Sequence, residues 1–226
     1  MAKIRPRIPE GGAIKDSTEL TMEQYSEIMK KQLGKEYNRF ADNVITQIMP
    51  GNNFKVLEIG PGPGWAGISL VKKRPDLTLD GLEASNDMIR VAAENANREG
   101  VGDRCTYKNG VAENMSEVKD STYDLVISRD SLHHWIEPEK VFLEIARILK
   151  PNGKLFVHDS RRDINNFGKM IVNIFSIFIP NNMGKYWKSS IAASYTPQEI
   201  WEMLVKTKNN SWTVNSDLMD LTIVKK

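Results

Sequence analysis

A short apolar run that carries one acid and then breaks into alternating glycines constrains this chain more than any other feature. Residues 56–64 read Val-Leu-Glu-Ile-Gly-Pro-Gly-Pro-Gly. Val56, Leu57 and Ile59 have the continuous apolar character of a strand buried on both faces of a parallel sheet. Gly60, Gly62 and Gly64 let the backbone turn sharply, and let a ligand approach closer than any Cβ would permit. Ile68-Ser69-Leu70-Val71-Lys72-Lys73 then begins a helical pattern. A strand that passes through a glycine loop into a helix builds a nucleotide-shaped crevice at the carboxyl end of the strand.

The pattern continues downstream. Strands are predicted at 56–60, 78–83, 104–108, 123–128 and 154–158. Helices are predicted at 64–73, from an N-cap at Ser85 through Asn97, and at 139–150, where Val141, Phe142, Ile145, Ile148 and Leu149 share a face. Pro151-Asn152-Gly153 is expected to end that last helix. Residues 211–215 and 219–224 read as two adjacent strands, an antiparallel pair at the sheet edge. The alternation predicts an α/β fold: a Rossmann-like, doubly wound, seven-stranded sheet, mostly parallel, with an antiparallel edge strand near the C-terminus.

At 226 residues the chain fits one domain. Residues 1–50 read as an N-terminal helical cap, with a helix over 21–49, and 55–160 as a cofactor-binding core. Residues 160–196 read as a lid segment, and 197–226 as a C-terminal helix and edge strands. Thr196 and Pro197 have the residue types of a helix start. The apolar stretch 170–179 either covers the pocket at the carboxyl ends of the strands or packs as ordinary core. It is too short to span a bilayer, which takes about 20 residues.

Charge is nearly balanced, 31 basic residues against 29 acidic, so no electrostatic footprint points to nucleic acid. A single cysteine, Cys105, excludes a disulfide framework and a cysteine-based zinc site. The first residues are basic but lack an apolar h-region, so no secretory signal is read, and a reducing cytoplasm is the expected setting.

The glycine loop admits two cofactors. Gly62-Pro63-Gly64-Trp65-Ala66-Gly67 is formally a G-x-G-x-x-G, which points to a dinucleotide and a nicotinamide-dependent oxidoreductase. Against it, an acid sits inside the strand, the glycines begin at Gly60, and bulky Trp65 stands where the helix would face a pyrophosphate. The spacing acid-x-Gly-x-Gly-x-Gly instead resembles motif I of the class I S-adenosylmethionine-dependent methyltransferases. The likeness runs from about residue 55 to 226 and is strongest to the type-11 group, which acts mostly on small molecules.

The resemblance implies S-adenosyl-L-methionine as cofactor, held along Glu58, Gly60, Pro61 and Gly62. Glu83, with Ala84 beside it at the end of the second strand, matches the acid that bonds both ribose hydroxyls; one carboxylate has two acceptor oxygens for such a diol. Met88 matches a position that packs on adenine. The family usually has Gly-Asp-Ala after the third strand, where this chain has Gly110-Val111-Ala112. Val111 cannot accept the adenine amino group, which leaves backbone groups, Glu113 or Asn114. Backbone near Ser128 and Arg129 matches the site of the methionine ammonium, and Arg129 is a candidate for the carboxylate. Tyr25 is a further candidate if the first helix closes over the methionine end.

The expected reaction is in-line displacement at the sulfonium methyl by a small-molecule acceptor, giving S-adenosylhomocysteine. It needs alignment first, and a base only where the acceptor must lose a proton. His133 and Asp159 are the catalytic candidates, with His134 and Arg161 as substrate contacts. Leu-His-His recurs in the family among enzymes with different acceptors, so it can equally brace its loop. No metal site is expected, because adjacent histidines diverge and no third ligand is evident. A second reading keeps the nucleoside site in a protein that binds and transfers nothing. The lack of an Asn/Asp-Pro-Pro-Tyr/Phe motif after the fourth strand argues against nucleobase amino groups as acceptor.

Overall fold

Hydrophobic continuity sets the centre of the sheet. In the computed structural model, which describes residues 6–9, 20–48, 51–179 and 183–226, the apolar run forms β1 (Lys55–Ile59), whose last four residues are buried. It pairs in parallel with β2 (Thr78–Glu83) on one side and β4 (Tyr123–Arg129) on the other. Adding β3 (Cys105–Asn109), β5 (Leu149–Ser160), β6 (Thr213–Ser216) and β7 (Asp220–Lys225) gives the order β3-β2-β1-β4-β5-β7-β6. The strand order reverses between β1 and β4, and a doubly wound sheet opens its ligand crevice at the carboxyl ends of the strands there.

Both faces are covered. Leu125 and Ile127 of β4 join Val56, Leu79 and Phe156 under α1 (Met22–Ile48) and α2 (Trp65–Lys73). Val126 turns to the opposite face, with Val157, Ile223, Phe142 of α4 (Pro138–Ile148) and Leu204 of α7 (Pro197–Lys206). α3 (Asn86–Arg98) starts at Ser85, whose hydroxyl accepts the Met88 N–H at 3.3 Å. Thr196 and Glu199 close a reciprocal capping box on α7. The first helix is more than a cap, since Tyr37, Phe40, Ala41 and Val44 are buried parts of one apolar layer.

One expectation about the second half is corrected. Pro151-Asn152-Gly153 does not separate helix from strand. β5 begins directly after α4, because buried Leu149 already opposes Tyr123; pairing then skips to Lys154 opposite Leu125. The three turn-forming residues lie in that irregularity, where a proline without an N–H is tolerated. The two C-terminal strands form the expected antiparallel pair at the sheet edge. β7 runs antiparallel between β5 and β6, so β6 is the edge strand and shares the direction of the parallel set.

Residues after β5 form two packed helices, α5 (Asn166–Phe178) and α6 (Met183–Ala193). The predicted apolar stretch lies mostly within α5 and is not core: Ile174, Phe175, Ile177 and Phe178 are all exposed. Among the described residues no helix is long and apolar enough to cross a membrane.

Candidate active site

The glycine loop carries left-handed backbone at Gly60, Gly62 and Gly64. At two of these positions the reason is visible. A Cβ on Gly60 would stand 2.1 Å from the Ser131 hydroxyl, so β1 and the turn after β4 meet there. At Gly62 nothing lies within 4 Å of the Cβ position, so the loop faces open space. Glu83 joins this loop to the next: Oε2 accepts the Gly62 N–H and Oε1 the Ser85 N–H, each at 3.0 Å. Pro61 is buried and Ala84 exposed on either side of that bridge.

Glu58 behaves differently. It is 1% exposed; Oε1 accepts the Gly67 N–H at 3.1 Å and Oε2 has no partner. Burial drives its pKa up to about 8, against the Gly67 hydrogen bond. The side chain therefore sits under the first turn of α2 as a mostly neutral acid at pH 7, and supports the loop from below rather than lining the crevice.

A clamp that sequence reasoning missed holds the loop from outside. The Trp65 indole N–H donates to the carbonyl and hydroxyl of Ser26 on α1, at 3.1 Å each. Asn95 of α3 donates to the Ser26 hydroxyl at 2.9 Å and to the Pro63 carbonyl at 2.8 Å. The signal was available for Asn95, which lies on the buried stripe of α3 with Met88, Val91, Ala92 and Ala96.

Met88 is buried beside Met22, Val91 and half-buried Tyr25. Tyr25 of α1 thus packs on the α3 side of the crevice. Gly110 donates its N–H to the Glu83 carbonyl at 3.0 Å. Val111 is half exposed and Ala112 buried. The two side chains considered as replacements for the missing aspartate have local partners: Glu113 accepts the Ile136 N–H and Asn114 the Ser116 N–H.

At the end of β4 the Ser128 hydroxyl donates to the Ile59 carbonyl at 2.9 Å. The Arg129 guanidinium lies over the Tyr37 ring, 5.0 Å from its centroid, and its Nε donates to Asp130 at 3.0 Å. Its side chain is only 9% exposed, so it is not a free fork for a carboxylate. Asp130 has the left-handed φ of 52°, rare for a residue with a side chain. Its carboxylate lies 3.8 Å from His158 Nδ1, and Asp220 lies 3.8 Å from His158 Nε2. Burial opposes a charged His158, but the two aspartates prevail and hold its pKa above the ordinary value. Burial raises Asp220 to about 6, while Arg129 and His158 hold Asp130 well below the usual carboxylate range despite burial.

The two catalytic candidates meet, and they are buried at 4% and 1% exposure. Asp159 accepts the His133 backbone N–H at 2.9 Å, lies 2.8 Å from His133 Nδ1 and accepts the Ser160 N–H at 2.7 Å. His134 is exposed, its ring 4.1 Å from that of His133. Arg161 is a loop clamp: it grips Asp163 through two bonds of 2.7 and 2.8 Å and donates to the Asp217 carbonyl. A hollow of about 300 Å³ between α1 and α2, lined by Lys30, Trp65, Lys72 and Glu99, lies behind the glycine loop. Both lysines bond Glu99 there, and the hollow has no part in the crevice.

Residues 57–157, from β1 through most of β5, match the family model described as a methyltransferase domain. That match, over a little under half of the chain, supports a class I S-adenosylmethionine-dependent methyltransferase. A ubiquinone biosynthesis O-methyltransferase of Aliivibrio fischeri is 30% identical over 113 residues, covering 50% of this chain and 47% of that one. The uncharacterized methyltransferase YcgJ of Bacillus subtilis is 29% identical over 105 residues, covering 46% and 40%. The matches thus span less than half the length of these curated relatives. A solved protein of Methanococcus maripaludis shares the fold with a TM-score of 0.70 at 24% identity, over 91% of each chain. A SAM-dependent methyltransferase from Aquifex aeolicus does so with a TM-score of 0.63 at 18% identity, over 88% and 96%.

S-adenosyl-L-methionine is the cofactor of this class of methyltransferase, and the residues present fit it. The space over Gly62 admits a ligand where a Cβ would intrude, and each Glu83 oxygen keeps a lone pair beyond its backbone bond. The dinucleotide alternative does not fit the matched domain. Its physical reason is local: the first turn of α2 turns the Gly67 N–H onto Glu58 and presents a clamped Trp65, which leaves a poor seat for pyrophosphate.

Proposed function

We propose that this protein transfers a methyl group from S-adenosylmethionine to a small-molecule acceptor. The observation that carries the reading is Glu83, whose carboxylate spans the two loops at the open floor over Gly62. In this reading Glu83 takes the ribose hydroxyls, and the backbone of Gly60, Pro61 and Gly62 admits the chain of the cofactor. Ala84, Met88 and the backbone of Gly110, Val111 and Ala112 flank the base, with Tyr25 closing over Met88. Carbonyls of Ser128 and Arg129 receive the ammonium group. Bound cofactor supplies a methyl group already activated on a sulfonium.

The chain's own part is alignment. His133 and Asp159 act as a brace that ties the turn after β4 to β5, and we assign them positioning rather than proton transfer. Exposed His134 and the Asp130–His158–Asp220 group form the polar side that an acceptor would meet. Arg161 supports this edge from its loop. The half-buried Cys105, its thiol pushed by burial up to about 11, suits a reducing cytoplasm.

Calorimetric titration with S-adenosylmethionine, S-adenosylhomocysteine and NAD in parallel tests the reading. Micromolar binding of both sulfur nucleosides is expected. Binding of NAD alone would overturn it.

A further inference from the structure

Helices of water-soluble domains turn their large apolar side chains inward; α5 does the reverse. Its inward positions are Gly168, Val172 and Ser176, at four-residue spacing. Val172 packs with Ile164 and with Ile191 of α6. The two helices come so close that a Cβ on Gly184 would stand 1.9 Å from the Ser176 carbonyl oxygen. Small residues thus make the helix–helix contact, and the large ones are left outside. Phe167, Met170, Ile174, Phe175, Ile177 and Phe178 are between 47% and 79% exposed. Single apolar residues on a surface are ordinary, but six on one helix form a patch that calls for a partner.

Charge selects the partner. Residues 164–198 contain no aspartate or glutamate, and their three lysines, Lys169, Lys185 and Lys188, are all exposed. A second copy would bring only further positive charge from this segment to the contact. An anionic bilayer satisfies both features, taking the apolar side chains into the acyl boundary and the lysines at the headgroups. Tyr186 of α6 adds a half-buried aromatic ring of the kind that settles at that level, while Trp187 packs on the Ile164–Val172–Ile191 cluster. The place is also informative. α5 follows the carboxyl end of β5, and α6 packs against the turn at Leu132–His134, so the patch borders the edge that carries the crevice.

We propose that the outer face of α5 docks this protein on an anionic lipid surface, lying in the headgroup layer without crossing it. The surface is distinct from the cofactor residues, so its test needs no methyl transfer. The full chain is sedimented with vesicles of phosphatidylcholine alone and of phosphatidylcholine with phosphatidylglycerol in equal parts. It is expected to pellet with the anionic vesicles and to be released by salt. Phe175→Ser combined with Phe178→Ser removes two exposed rings, and should lower vesicle affinity at least about tenfold. Lys185→Glu combined with Lys188→Glu should abolish the preference for anionic vesicles. A wild-type chain that stays in the supernatant with both vesicle types overturns the proposal. So does a phenylalanine variant that pellets like the wild type. A wild-type dimer in light scattering that the phenylalanine variant converts to monomer would assign the face to a second copy instead.

Discussion

Glu58 and Glu83 show how place decides what one side chain does. Glu83 sits between two loops at an open crevice, and Glu58 lies sealed under α2. Glu83→Ala should weaken S-adenosylmethionine binding by about 1–3 kcal/mol, through lost hydrogen bonds to a charged acceptor. Unchanged affinity in calorimetry would remove Glu83 from the ribose site. For Glu58 the readout is pH. An acid whose pKa is higher folded than unfolded holds its proton better in the native state, so stability falls as pH rises through the interval between the two. For Glu58 that interval runs from its ordinary 4.5 to about 8. Wild type should therefore lose stability relative to Glu58→Gln across this window, read as diverging urea midpoints. Parallel midpoints would show that Glu58 is not a buried neutral acid. The placement of Glu83 and the glycines at one crevice was legible in sequence because each follows an apolar strand run. The Asp130–His158–Asp220 group was not, because it joins residues from β5, from β7 and from the turn after β4. What marked it was position: each is a polar residue at a strand end on the crevice edge.

At the scale of elements, the strands and helices of the core were legible wherever apolar runs or helical spacing were strong. The start of β5 was not, because turn-forming residues and a buried Leu149 give opposite local signals and burial wins. The role of α1 was also hidden. A serine on a polar helix gives no sign that it will receive an indole N–H from the glycine loop. Trp65→Phe should leave the Ser26 acceptors without that donor and lower stability by about 1–3 kcal/mol in urea unfolding. A variant as stable as wild type would mean that α1 is held by its apolar contacts alone. Thr196→Ala removes the capping box of α7, and a loss of about 1 kcal/mol is expected by the same measurement. If stability is unchanged, the box contributes nothing beyond the proline at the first turn.

For the whole molecule, two apolar layers share one sheet, with Trp65 in one and Trp135 and Trp212 in the other. We take the chain as one cooperative domain. Tryptophan fluorescence and far-ultraviolet circular dichroism should then give coincident urea transitions. Two separated midpoints would divide the chain. The strand alternation made the parallel sheet legible, but not the position of β7, because two neighbouring strands can add to an edge in either order. That order has a consequence for biosynthesis. Strand β5 pairs along one side with β7, whose first residue lies 60 positions beyond Ser160. While the nascent chain is threading through the exit tunnel, β5 presents a bare edge until that distant segment emerges. The ribosome's pace through α5, α6 and α7 therefore sets how long an unfinished sheet stays open to wrong partners.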